Sequence, residues 1–325
     1  MRPLPSDSPG IIVEELRKRY GVQAALRGIS LQVRSGEVHG LIGPDGAGKT
    51  TLMRILCGLL VPDGGQARVL GFDASHEAFR VKEHLGYMPQ RFSLYPDLSV
   101  SENMRFFADL YDVPTGERQS REKRLLDFSG LGPFRKRRAG ALSGGMKQKL
   151  ALSCMLIHTP RVLILDEPTT GVDVVSRREF WEILSGLARE GLTLLVSTPY
   201  MDEAERFDRL ALMHEGVVLA EGSPAQIRRR FDGRLLAVSG TDLLPAWHAI
   251  RERALNGIHV HRFGDRLHLM MASSTSPAVL GPILKPLRVE TREISPSIED
   301  TFVALVSGAD SAGRGGRISS GSSPP

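Results

Sequence analysis

Cysteine is scarce in this chain, and the two that occur, Cys57 and Cys154, stand alone in apolar stretches of helical pattern. Their isolation excludes a disulfide framework and the paired spacing of a metal or redox site, and both read as buried filler. Long hydrophobic runs are also missing. Apolar stretches such as Val162 to Leu165 fall far short of the roughly 18 residues that span a bilayer, so the chain is not expected to cross a membrane by itself. Met1 to Gly10 is rich in proline and serine and lacks a basic, then apolar, then small-residue leader, which predicts a cytosolic home. The net charge of +5 is spread along the chain, and its short clusters, Arg135 to Arg138 and Arg228 to Arg230, are not interleaved with aromatics. They read as solvated surface, and no nucleic-acid partner is expected.

What is present is an ordinary globular composition, 41% apolar and 24% charged over 325 residues, enough for one large core and a smaller appendage. From about Ile11 to Arg230, short β-branched and leucine runs alternate with helical patterns, which predicts an α/β domain with a sheet largely parallel at its centre. Strands are expected at Glu37 to Ile42, Val162 to Leu165 and Leu192 to Ser197, and helices at Gly48 to Leu60 and Val174 to Arg189. Glu102 to Gly130 is helical by pattern, with Met104, Phe107, Leu110 and Tyr111 on one face, and predicts an inserted helical lobe over about 92–158. After Gly233 the order becomes βαββαβ: Leu235 to Val238, Ala246 to Leu255, His259 to Phe263, Leu267 to Met271, Ala278 to Leu284 and Val289 to Glu293, with a closing helix at Ile298 to Val306. That order predicts a ferredoxin-like accessory domain, its second helix weakened by Pro282. The expected boundaries are a disordered start (1–10), the α/β domain (11–232), the accessory domain (233–306) and a disordered tail (307–325).

Three motifs carry chemistry. Gly43, Pro44, Asp45, Gly46, Ala47, Gly48, Lys49, Thr50 and Thr51 lie between an expected strand and an expected helix, which is the context a phosphate-binding loop requires. Its glycines let backbone N–H groups converge on phosphate oxygens, Lys49 reaches the β and γ phosphates, and the Thr50 hydroxyl suits Mg²⁺. Val162 to Pro168 is an apolar run ending in Asp166 and Glu167, at the strand edge where α/β sheets place ligands. Asp166 would face the metal shell, and Glu167 would act as general base on an attacking water. Leu142 to Gln148 opens a helix with Ser143 as expected N-cap and with Gly144 and Gly145 offering backbone amides, a second anion site. A nucleotide cannot use both loops of one chain undistorted, so two chains facing head to tail are expected.

Taken together, these motifs resemble the ATP-binding subunits of ABC transporters over essentially all of Ile11 to Arg230. The resemblance implies a P-loop ATPase core with the helical lobe inserted and the α+β accessory domain appended, using ATP and Mg²⁺. It implies that Tyr20 stacks on adenine and that Gly43 to Thr51 hold the phosphates. It also implies that Gln90 of Tyr87-Met-Pro-Gln90 contacts Mg²⁺ and relays to a membrane partner, that Ser143 to Gly145 form the signature loop, and that Gly171-Val-Asp173 links two subunits. Catalysis would rest on Glu167, Lys49 and Gln90, and the metal on Thr50, Gln90 and Asp166.

Within that family, Leu142 to Gln148, Tyr200-Met-Asp-Glu-Ala-Glu205 and Pro296-Ser-Ile-Glu-Asp-Thr-Phe302 look like subunits of type-2, drug-resistance-like exporters. The implied partners are transmembrane permease subunits and a second ATPase subunit, identical or not, with the chain peripheral on the inner face of the membrane. Phe92, Leu94 and Tyr95, just after Gln90, are expected to receive a short cytoplasmic helix of the permease. One position departs from the pattern: where the family usually has a histidine that bonds the γ-phosphate, this chain has Pro199. Proline also suits the first turn of a helix begun by Tyr200. The rival class is a soluble ABC ATPase acting on ribosomes or DNA. It is disfavoured by the single cassette and by the short spacing from Thr51 to Ser143.

Overall fold

The computed structural model describes residues 9–91, 94–253 and 257–315, and its chain divides into two compact units after Ser223. The first unit opens with β1 (Pro9–Tyr20) and β2 (Gln23–Arg34), then β3 (Val38–Ile42), α1 (Lys49–Leu56), β4 (Gly64–Val69), β5 (Phe72–Asp73), α2 (Ala78–His84) and β6 (Leu85–Met88). A helical lobe follows, α3 (Val100–Leu110), α4 (Thr115–Ser129) and α5 (Gly144–Leu156). The unit closes with β7 (Val162–Asp166), α6 (Val174–Arg189), β8 (Thr193–Thr198), β9 (Arg209–His214) and β10 (Val217–Gly222).

Two sheets result. The six-stranded sheet runs β10-β9-β3-β8-β7-β6, parallel throughout except for β10. Every residue of β3, β7 and β8 is buried, so both faces of these strands are covered, which is why none of them alternates and β7 reads as an apolar run. Because these strands are parallel, the ends of β3, β6, β7 and β8 lie on one edge, and the loops that follow them converge there. The second sheet, β2-β1-β4-β5, is antiparallel. It was not foreseen, although Leu26, Ile29, Leu31 and Val33 of β2 are buried between exposed neighbours in the period of a half-buried strand. Its inner face shares one core with Leu52, Met53 and Leu56 of α1 and with Leu195 and Met213 of the larger sheet.

Local chemistry sets the ends of the elements. The helix expected to reach Leu60 stops at Leu56, since Gly58 takes φ +61° and a Cβ there would meet Ala78 Cβ at 2.6 Å. The single helical stretch expected over Glu102 to Gly130 is two helices, broken where Asp112 turns left-handed ahead of Pro114. α3 begins with a capping box: Ser99 Oγ accepts from the Glu102 amide and Glu102 accepts from the Ser99 amide. α6 spans Val174 to Arg189 as expected, capped by Asp173, whose carboxylate accepts from the Ser176 amide at 2.9 Å.

The second unit starts at Pro224, nine residues before the expected boundary at Gly233, because the short helix α7 (Pro224–Arg228) packs on the last helix. It continues with β11 (Arg234–Ser239), α8 (Leu244–Glu252), β12 (Ile258–Phe263), β13 (Arg266–Met271), α9 (Gly281–Leu284), β14 (Glu290–Glu293) and α10 (Ile298–Gly315). Strand order β12-β13-β11-β14, all antiparallel, is that of a ferredoxin-like βαββαβ unit. Pro282 and Pro286 reduce the second helix to four α residues between 3₁₀ turns. α10 runs on to Gly315, past Ser307 where a disordered tail was expected, since a helix already nucleated gains one backbone bond for each residue added. Likewise β1 begins at Pro9, inside the expected disordered start. Residues 1–8 and 316–325, Phe92 and Leu255 lie outside the described residues.

Candidate nucleotide site

The loop after β3 is built for close approach of backbone. A Cβ on Gly43 would lie 2.1 Å from the Met213 carbonyl oxygen, and one on Gly48, at φ +101°, would lie 2.6 Å from that of Ala25. No side chain caps α1, so its first amides remain available to an anion, where the helix dipole favours negative charge. Lys49, only 4% exposed, donates from Nζ to the carbonyls of Gly43 and Pro44 at 2.7 and 3.1 Å. Its ammonium also stands 3.4 Å from Glu167 Oε1. Thr50 and Thr51 are half-buried in the same turn, while Pro44, Asp45 and Gly46 are exposed and Ala47 is buried.

The two carboxylates after β7 have different surroundings. Asp166 is buried, and its Oδ1 accepts the Ser197 hydroxyl proton at 2.6 Å. Its Oδ2 is buried with no hydrogen-bond partner among the described residues, an arrangement that costs free energy unless something else fills the role. Glu167 takes φ +50°, a left-handed backbone that disfavours a residue with a Cβ by about 1–2 kcal/mol. It is pinned there because its amide donates to both the carbonyl and the hydroxyl of Ser197, at 3.2 and 2.9 Å. Its Oε2 accepts from Gln90 Nε2 at 2.8 Å and from Thr170 Oγ1 at 3.4 Å. Lys49, Gln90 and the adjacent Asp166 and Glu167 thus come from three different segments, and Lys49 and Gln90 both meet Glu167. Ser197 and Thr170, which position the two acids, were missed; a polar residue closing an otherwise apolar strand was the available signal for Ser197.

Mg²⁺ fits this donor set. The orphaned Asp166 oxygen, the Thr50 hydroxyl and the Gln90 amide oxygen are hard ligands, too few for an all-protein cage and suited to a cation shared with phosphates. No group of three or more His, Cys, Asp or Glu side chains able to hold a metal occurs among the described residues.

The other expected contributors lie apart from this cluster. Tyr20 ends β1 and is 49% exposed, a face open for stacking. Ser143 caps α5 by accepting from the Met146 amide at 3.3 Å, and it is exposed together with Gly144. Gly145 is buried: a Cβ would come within 2.4 Å of Ser176. It therefore lets α5 and α6 pack closely. Gly171-Val-Asp173 is next to it, the Gly171 carbonyl lying 3.9 Å from where a Gly144 Cβ would be. Pro199 follows β8, whose last carbonyl, on Thr198, accepts from the Gly43 amide at 3.4 Å. The helix beyond it is a 3₁₀ segment, Met201–Arg206, capped by Tyr200, so Pro199 precedes the cap and is not in the first turn as expected. Glu203 of that segment is buried and accepts from Thr169 Oγ1 and Trp181 Nε1, both at 2.9 Å, tying the loop after Glu167 to α6.

Comparison with known proteins agrees with this geometry. The family profile described as "ABC transporter" matches residues 26–170. The chain is 42% identical over 304 residues to the probable multidrug ABC transporter ATP-binding protein YbhF of Escherichia coli (strain K12), covering 92% of this chain but 52% of that protein, so it spans about half that relative's length. It is 33% identical over 302 residues to the daunorubicin resistance ATP-binding protein DrrA3 of Streptomyces coeruleorubidus, covering 91% of this chain and 95% of that one. A solved ATP-binding subunit of an ABC transporter superposes with a TM-score of 0.62 at 30% identity, covering 68% of this chain and 92% of its own.

Proposed function

The chain belongs to the ATP-binding proteins of the ABC transporter family, and from that premise we propose that it hydrolyses Mg-ATP to drive export through a separate permease of the type-2 class. The single observation that carries the proposal is the buried Lys49–Glu167–Gln90 cluster beside the unpartnered Asp166 oxygen. In the described arrangement both Glu167 oxygens are engaged, one near the Lys49 ammonium and one by Gln90 and Thr170. A γ-phosphate in the loop offers Lys49 a more highly charged acceptor, which frees Glu167 Oε1 to take a proton from water. That water's oxygen then bonds to the γ-phosphorus as the bond from phosphorus to the β,γ-bridging oxygen breaks and ADP leaves. Bound Mg²⁺ would neutralise charge on the β and γ oxygens.

Ser143 and Gly144, exposed and unattached to this cluster, suit the ATP held by a second copy of the chain. Tyr20 suits the adenine. Drug-class export rests on the relatives' names, multidrug and daunorubicin resistance, and attachment to the inner membrane face on the permease; no described helix is long and apolar enough to cross a membrane. The permease contact is assigned to the loop and helix after Gln90, where Tyr95 and Leu110 are exposed and the Tyr95 and Phe106 rings lie 4.5 Å apart. The test is single-turnover hydrolysis by the full chain and by Glu167→Gln. The reading expects hydrolysis to fall by about 10²–10⁴ with ATP affinity kept, and equal rates would overturn it.

A further inference from the structure

A cavity of about 590 Å³ opens in the first unit at the starts of β7 and β8, where α4 of the helical lobe meets the ends of α5 and α6. Asp166 lies four residues along β7 from the strand's start, roughly 13 Å away at the usual rise, and no residue of the nucleotide cluster lines the cavity. Its walls are apolar: Leu125 and Phe128 from α4, Leu156 from α5, Pro160, and Leu187 from α6. The size and the lining are those of a small-molecule site, apolar with a few convergent polar groups.

The charged groups among these polar ones are mostly cationic, beside the hydroxyls of Ser35, Thr159 and Thr193. Arg121, Arg124 and Arg161 line the cavity against one carboxylate, Glu190. Arg124 is matched to Glu190 at 2.6 Å across the rim, and Arg121 is engaged by Glu117 and, at 3.0 Å, by the Ile157 carbonyl. Arg161 is half-buried, and among the described residues no hydrogen bond or ion pair engages its side chain. At the helix ends facing the cavity, the carbonyls of Leu156, Leu187 and Ala188 already accept from the amides of Thr159, Leu192 and Gly191, and that of Ile157 from Arg121. One unmatched guanidinium above an apolar pocket is the recognition chemistry of an amphiphile with an anionic head.

We propose that this cavity binds a single anionic amphiphile, its head on Arg161 and its apolar body between α4 and α6. The test is calorimetric titration of the full chain with decanoate below its micelle concentration, and separately with decylamine. Decanoate binds saturably at one site and decylamine does not. Arg161→Gln weakens decanoate by about tenfold or more, the loss expected for a charged hydrogen bond, and Ala188→Trp, which fills the cavity, abolishes binding. Melting temperatures of both variants show that they are folded. Displacement of decanoate by phosphatidylglycerol vesicles would make the natural ligand a membrane lipid, and lack of displacement a free amphiphile; either keeps the site. Absence of saturable decanoate binding, equal binding of decylamine, or unchanged affinity in folded Arg161→Gln would overturn it.

Discussion

Three single residues mark where this chain's chemistry can be tuned. Pro199 follows β8 beside the phosphate loop and brings no side-chain donor to the charge that develops on a γ-phosphate. One such donor commonly contributes about 10²–10³ in rate. Pro199→His is therefore expected to speed single-turnover hydrolysis by up to that factor, with Pro199→Ala, which alters the backbone alone, close to the native rate; histidine no faster than alanine would refute the assignment. Gly145 has no room for a side chain against Ser176. Gly145→Ala should cost about 1–3 kcal/mol by overpacking, measured by denaturant unfolding, and Ser176→Gly should recover part of it. His158 is stacked on Tyr111 at 3.9 Å, with Nε2 against the Leu85 carbonyl and Nδ1 buried without a partner. Burial lowers its pKa from 6.5 to about 4, so the folded state keeps it neutral while the unfolded chain takes up a proton. Its contribution is fully present above pH ~6.5 and is lost as pH falls towards about 4, on the order of 3 kcal/mol in all. His158→Gln should flatten the dependence of stability on pH in that window.

At the scale of elements, the sequence was most legible where one physical demand dominates. A continuous apolar run marked β7, short runs of β-branched residues and leucine marked β3 and β8, the glycine-rich loop marked the start of α1, and α6 came out with both ends as expected. The βαββαβ order after Gly233 was legible because strand and helix periods alternate there cleanly. The antiparallel sheet was not, since β1 mixes buried Ile11, Val13 and Leu16 with register shifts that blur its alternation. The fold of Pro296 to Phe302 shows what a motif can conceal. Asp300 is buried, accepts from the Ser297 amide and hydroxyl at 2.9 and 2.6 Å, and meets His268 Nδ1 of β13 at 2.7 Å. The motif is thus a helix start locked to the sheet beneath it, and the long-range partner His268 could not be read from spacing. Asp300→Ala strands a buried imidazole and removes the acceptor of the Ser297 amide and hydroxyl at the start of α10, which should lower the stability of the second unit by about 3 kcal/mol. The readout is the shift of that unit's melting transition, with the ATP affinity of the first unit unchanged.

With the proposed function, the whole molecule is one half of an engine whose permease is a separate chain. Tyr95 of the exposed ring pair Tyr95–Phe106 sits on a loop held firmly to α3, since buried Asn103 accepts from the Tyr95 amide and donates to the carbonyls of Tyr95, Leu98 and Ser99. Exposed aromatics on a rigid support are suited to a partner, so Tyr95→Glu with Leu110→Glu should abolish co-purification with the permease and leave ATP binding intact. The central claim is that ATP is shared by the phosphate loop of one chain and the Ser143–Gly144 loop of a second. Light scattering of purified Glu167→Gln tests it most directly, because that change preserves shape and stops hydrolysis from dissolving the pair. With saturating Mg-ATP the mass should double, and adding Ser143→Arg should return it to that of one chain. A Glu167→Gln protein that remains monomeric, or a pair indifferent to Ser143→Arg, would contradict the account.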